Sequence, residues 1–274
     1  MTKINDKPIT SDNILEFLQQ NDDFALEMRI LKSTIGLGLK CSHGGTYIDP
    51  VTDKPRQYDI RAKNVSGTSS INFAVECKAL SPSYPLVISR VPRPDNDSYN
   101  TVSITRYSGW DGAKCHMIRG ADSLYMPKQP VGKASNQLGI KNDGSFVSSD
   151  SEIYDKWAQA IASCHDLVSE FIYQKDKQYR SCAVFPILVI PEGTLWCVDY
   201  DSDGKLLGKP AMFNECDFFI GREYTFRLTV SELRYNISHL HIVTSSSYEV
   251  LLKGVINKIE HQLTHLMAQV SDKD

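Results

Sequence analysis

The stretch INFAVECKAL, residues 71–80, constrains the fold of this 274-residue chain more than any other. Ile71, Phe73, Val75 and Cys77 alternate as one apolar face, the pattern of a strand packed against a core. Side chains two apart on a strand point the same way. Glu76 and Lys78 are therefore expected side by side on the other face, a carboxylate and an ammonium on a largely apolar strand. Upstream, QYDIRAKN places Asp59 between Tyr58 and Ile60, a lone acid among apolar neighbours. If these two strands pair through the loop 64–70, Asp59 lies beside Glu76.

The rest of the chain supplies a frame for that pairing. Ser11 is the expected N-cap of a helix carrying Ile14, Leu15, Phe17 and Leu18. Asn21 or Asp22 then recaps a second stretch with Phe24, Met28, Leu31 and Ile35, closed by Gly36 and Gly38. Three strands are predicted over 39–48, 57–63 and 71–80. Residues 81–148 are rich in turn formers and read as a partly ordered insertion, with candidate strands at 85–91 and 100–107. A helix is predicted over 149–174, capped by Ser151, with Ile153, Trp157, Ala160, Ile161, Cys164, Leu167, Val168 and Phe171 as its apolar face. Strands follow over 182–190, 194–201, 222–230 and 239–244, then a final amphipathic helix over 248–269. This order implies an α/β protein with a mixed central sheet. It reads as one domain with a core of about 11–80 and 149–201, the insertion, and a C-terminal extension over 202–274.

Several function classes find no support. The longest apolar run, AVFPILVI, is too short to span a membrane and contains Pro186. The N-terminal MTKINDKPITSDN is polar where a secretory leader is apolar. Seven scattered cysteines without a C-x-x-C spacing argue against zinc and disulfides. A cytoplasmic protein with reduced thiols and no membrane contact is the expectation. The net charge of −3 does not advertise nucleic-acid binding, although a basic groove can sit on an acidic protein. His261 and His265 share a helical face but enclose Gln262 where a zinc protease needs Glu, and no G-x-S-x-G or G-x-G-x-x-G occurs.

Two carboxylates held close together stay ionised only with a cation between them. A hard divalent ion with oxygen ligands suits Asp59 and Glu76, with the backbone carbonyl of Cys77 as a further donor. Lys78 is then expected to face a metal-bound water or a phosphate. The blander alternatives are an exposed Glu76–Lys78 ion pair on an edge strand and an Asp59–Arg61 pair.

Tyr58-Asp59-Ile60 followed by Val75-Glu76-Cys77-Lys78 resembles the PD-(D/E)XK nuclease superfamily, whose restriction-endonuclease-like core is helix, three strands, helix, strand. The resemblance covers roughly residues 11–200, leaves the insertion unaccounted for, and has Tyr58 where the motif's name has proline. It implies a Mg²⁺-dependent DNA endonuclease, with Mn²⁺ able to substitute, serving restriction or defence against foreign DNA. Asp59 and Glu76 would be metal ligands and Lys78 the catalytic lysine. Glu27, on the helix before the first strand, matches a further acid that many members place near the metal; a solvent-facing Glu27 is the alternative. Similar nucleases use a lysine or glutamine on the later helix, which points to Lys156 and Gln159 as substrate contacts. Apart from the resemblance, the polar loop PVGKASNQLG, 130–139, offers Lys133 and Ser135 to phosphate. Arg90, Arg93, Arg106, Lys114, Arg119, Lys128, Lys133 and Lys141, interspersed with Tyr99, Tyr107, Trp110 and Tyr125, make the insertion a candidate DNA groove. A homo-oligomer, built through the tail, or a defence-system partner protein would supply specificity. The competing reading is a catalytically silent nuclease-like fold that binds nucleic acid or assembles with partners.

Overall fold

A reciprocal cap opens the first helix one residue earlier than Ser11. The Asn13 backbone N–H donates to the Thr10 hydroxyl at 3.3 Å, and the Thr10 N–H donates to the Asn13 side chain at 3.1 Å. Helix α1 therefore runs Ser11–Asn21. Asp22 accepts the Ala25 N–H at 2.7 Å and starts α2, Asp23–Gly36. The computed structural model describes residues 7–106, 112–149, 151–174, 178–229 and 231–271.

The strand expected over 39–48 is broken at Gly44, whose φ of +67° strains any residue with a Cβ. It becomes β1 (Lys40–His43) and β2 (Thr46–Ile48). β2 pairs with β3 (Pro55–Gln57) as a small two-stranded ribbon. β1 joins the hairpin of β4 (Ile60–Ser66) and β5 (Ser69–Cys77), antiparallel throughout.

The region read as a partly ordered insertion is strand-rich: β6 (Leu86–Pro92), β7 (Tyr99–Thr105), β8 (Lys114–Arg119), β9 (Pro130–Ile140) and β10 (Phe146–Ser149). The expected polar loop 130–139 is thus a strand. Its backbone is paired by β6 along one side and by β10 along the other, which outweighs its weak strand composition. Helix α3 (Ser151–Ile172) follows, then β11 (Arg180–Ile190), β12 (Leu195–Tyr200), β13 (Leu206–Met212), β14 (Glu215–Arg227), β15 (Glu232–Thr244) and α4 (Tyr248–Ser271).

These strands form one large mixed sheet in the order β1-β4-β5-β11-β15-β14-β9-β6-β12-β13, with β7, β8 and β10 branching from it. β5, β11 and β15 are parallel neighbours. β11 is apolar from Cys182 to Ile190 because both faces are covered. Ala183, Phe185, Ile187 and Val189 pack with Leu26 and Ile30 of α2 and with Leu252, Val255 and Ile259 of α4. Cys182 and Val184 meet Ile161, Cys164 and Val168 of α3 on the reverse face. Pro186 is tolerated in this central strand for a specific reason. On its far side β11 pairs with β7 at 180–182 and with β15 at 187–190, leaving a gap between. Val184 fills its part of the gap by donating its N–H to the Tyr235 hydroxyl at 3.2 Å, and Pro186 has no N–H to satisfy.

The segment expected to be a peripheral extension is part of this core. β15 lies directly beside β11, and α4 needs a sheet face for its apolar stripe, which it finds over Phe73 and Phe185. No helix among the described residues is long and apolar enough to cross a membrane.

Candidate active site

The β4–β5 register pairs Ile60 with Val75, so Asp59 and Glu76 stand together at one end of the hairpin, as expected. Two backbone bonds fix them. The Cys77 N–H donates to Asp59 Oδ2 at 2.8 Å, and the Asp59 N–H donates to Glu76 Oε1 at 3.4 Å. Ala74 packs against α3, and Glu76, two residues on, faces the same way. Glu76 is 1% exposed, which rules out the exposed edge-strand pair. Arg61 does not pair with Asp59 either: its guanidinium binds Asp166 at 2.8 Å and stacks on the Tyr58 ring at 4.2 Å.

The cation at this pair is Lys156, from the second turn of α3. Its ammonium lies 3.0 Å from Asp59 Oδ2 and 3.4 Å from Glu76 Oε2. Burial, and then the neighbouring Asp59 charge, push the Glu76 carboxyl well above the usual range, while Lys156 opposes the shift. Burial alone would lower the Lys156 ammonium, but the two carboxylates outweigh it and hold the group above its ordinary value.

Lys78 lies just beyond β5, whose pairing runs to Val75 on the β4 side and to Cys77 on the β11 side, and its backbone N–H donates to the Val189 carbonyl at 2.9 Å. Its ammonium lies 3.3 Å from Asp23 in the first turn of α2, whose carboxylate also accepts the Ala79 N–H. Asp23 thus ties the end of β5 to the helix that carries Glu27. Glu27 itself accepts from His43 at 3.1 Å if the ring is protonated there. Burial first, then the Asp59 charge, raise the Glu27 carboxyl, with His43 and Lys156 opposing. The solvent-facing alternative for Glu27 is therefore not the arrangement found, and α2 brings it into the electrostatic range of Asp59.

The remaining expected contacts divide. Gln159 sits one helical turn beyond Lys156, half-buried, and its backbone carbonyl accepts from the Tyr47 hydroxyl at 3.2 Å. Lys133 and Ser135 are not brought to the site. They lie on β9, four places from β5 in the strand order, and Lys133 pairs with Asp97 and covers the Phe219 ring. Besides Lys133, two arginines of the basic insertion pair with acids on later strands. Arg90 binds Asp199 at 2.8 Å and Arg93 binds Asp217 at 2.7 Å. Tyr107 and Trp110 lie outside the described residues.

Asp59 and Glu76 suit a hard divalent ion in donor type, and Mg²⁺ commonly keeps its waters while held by one or two carboxylates. Among the described residues no group of three or more His, Cys, Asp or Glu side chains that could hold a metal ion is found. The Lys156 ammonium shows that this carboxylate pair accepts a cation between its oxygens. Sequence reasoning missed Asp23 and His43, and named Lys156 as a substrate contact without its pairing to Asp59 and Glu76. Comparison with protein-family models, with curated proteins and with solved structures finds no match.

Proposed function

We propose that the chain is a Mg²⁺-dependent endonuclease of the PD-(D/E)XK type, hydrolysing phosphodiester bonds in DNA. The observation that carries this is the buried Asp59–Glu76 pair on adjacent strands, closed over by α3 and bridged by a cation. The order α2, β1, β4, β5, α3, β11 supports it, because it follows that family's helix, three strands, helix, strand. The ribbon β2–β3 and the strands β6–β10 are then embellishments. A cytoplasmic role in restriction or defence against foreign DNA is what the family resemblance adds.

Asp59 and Glu76 would hold the ion, with the Cys77 carbonyl and Glu27 as further oxygen donors. When bound, Mg²⁺ would polarise the phosphoryl oxygen and acidify its water. The chain's own residues do the rest. Lys156, freed from the carboxylates, neutralises negative charge developing on the phosphate. Lys78, anchored by Asp23, keeps a second positive charge at the end of β5. Burial and the Asp59 charge raise the Glu76 carboxyl even with Lys156 beside it, so a bound divalent ion would favour its ionised form.

The same lysine favours a second reading. An ammonium that already neutralises the pair allows a metal-free fold that binds nucleic acid without cutting it. Supercoiled plasmid incubated with wild type or Glu76→Gln in Mg²⁺, Mn²⁺ or EDTA separates the two. Metal-dependent nicking by wild type alone supports the nuclease. Equal cutting by both proteins refutes the assignment of Glu76. Binding in EDTA with no cutting under any condition favours the silent module.

A further inference from the structure

The hairpin face that carries Asp59 and Glu76 continues away from them into a second site. Towards the β4–β5 turn, a pocket of about 300 Å³ opens between β1, β4, β5 and the C-terminal half of α3. Asp59 and Lys63 are four residues apart along the strand direction, about 13 Å. The pocket therefore lies beside the carboxylate pair without sharing its acids.

Its chemistry is that of an anion receptor. Lys40 of β1 and Lys63 of β4 stand directly opposite each other in register and both line the pocket. Like charges directly opposite on paired strands are destabilising. Neither lysine has a carboxylate within ion-pair distance among the described residues. The one acid in the lining, Glu170, lies 3.6 Å from Arg61, which also binds Asp166 at 2.8 Å. The floor is polar and buried: Asn72 is opposite Lys63, and its amide donates to Ser70 at 3.3 Å and to the Cys182 sulfur at 3.0 Å, so the Ser70 hydroxyl is the floor group that can turn a proton to a guest. Two unneutralised ammoniums over a hydrogen-bonding floor form a concave site with fixed polar groups and an uncompensated charge.

We propose that this pocket binds a phosphate group, either of a free phosphorylated small molecule or of a nucleic-acid backbone. The ammonium groups supply charge-assisted hydrogen bonds to its oxygens, and the Ser70 hydroxyl, held by the Asn72 amide, donates to it from below. The proposal rests on Lys40, Lys63 and the floor, and stands whether or not Asp59 and Glu76 cut DNA.

The test uses the full chain in metal-free buffer, so cleavage does not enter. Pyrophosphate is titrated calorimetrically, and a labelled single-stranded oligonucleotide is titrated by anisotropy over a salt series. Three proteins are compared: wild type, Lys40→Gln/Lys63→Gln and Lys40→Arg/Lys63→Arg. The expected result is that the glutamine variant loses pyrophosphate affinity by about tenfold or more while the arginine variant keeps it. If the phosphate belongs to a nucleic acid, the oligonucleotide responds instead, and its salt slope falls by roughly 1.4 for two lost contacts. Either response supports the site and identifies its source. Affinity for both probes that is absent in wild type, or unchanged in the glutamine variant, overturns it. So does a lower Tm in the glutamine variant with no phosphate response in wild type. That result would mean the lysines serve the carbonyl end of α3.

Discussion

Replacing Lys156 by methionine tests the electrostatics of the site while keeping the side chain's apolar stem. The substitution leaves Asp59 and Glu76, 11% and 1% exposed, facing each other without their cation. Breaking a buried ion pair by removing one partner costs about 3–5 kcal/mol. Lys156 is 20% exposed, so the lower end, about 3 kcal/mol, applies. At roughly 2–4 °C per kcal/mol for a chain of this size, Tm should fall by about 6–12 °C at pH 8. The deficit should depend on pH with a definite sign. Glu76 has its carboxyl raised in the folded state, so the associated stability is fully present below its unfolded value of 4.5 and is lost as pH rises through the folded one. The variant should therefore recover towards wild type as pH falls from 8 to 5. A divalent ion taking the ammonium's place adds about 2.7 kcal/mol at a hundredfold excess over its Kd, close to the deficit. Calorimetry at several pH values, with and without Mg²⁺ or Ca²⁺, reads all three effects. A Tm within about 2 °C of wild type, independent of pH, would refute Lys156 as the counter-charge. A large, pH-dependent loss that no divalent ion relieves would refute the metal instead.

Gly45→Ala should disturb the site from behind, because an added Cβ runs into the Tyr58 ring and hydroxyl, and Tyr58 precedes Asp59. A loss of about 1–3 kcal/mol is expected by chemical denaturation, together with slower plasmid nicking. Asp217→Asn should cost about 3 kcal/mol, since it strips the partner from the fully buried Arg93 side chain at 2.7 Å and from His241 at 3.0 Å. Burial raises the Asp217 carboxyl, but the His241 hydrogen bond and the His241 and Arg93 charges hold it well below the ordinary range. Its contribution is present above the ordinary value of 3.8 and lost as pH falls through the folded one. Acid unfolding profiles of wild type and Asp217→Asn should accordingly converge below about pH 4, and parallel profiles would contradict the assigned role.

How far the sequence revealed this depends on how local each signal is. The alternation of Ile71, Phe73, Val75 and Cys77 is a property of one strand, and a short turn makes β4 and β5 neighbours, so the meeting of Asp59 with Glu76 was legible. The contact of Lys78 with Asp23 was not legible, because it joins the end of β5 to a helix distant in sequence. The pairing of Lys156 with Asp59 and Glu76 was not legible, because a helix lysine shows its partner only once the facing sheet is known. The polar β9 was hidden because partners on both edges, not its own residues, make it a strand. Nothing in the order of elements announces that β15 lies beside β11, since that contact joins segments distant in sequence.

The placement of β15 bears on how the molecule is made. β5 meets β11 across 112 positions, and β11 meets β15 across a further 54. Loop closure on this scale slows folding. A nascent chain that has emerged only to the end of β12 already holds Asp59, Glu76 and Lys156, yet β11 still lacks β15, one of its two parallel neighbours, and Phe73 and Phe185 lack the cover of α4. Until the last strand and helix leave the ribosome, the parallel edge of β11 stays open to pairing with other chains. Chaperone demand and aggregation risk should be highest in that interval, and competence should arrive in one late step rather than grow with chain length.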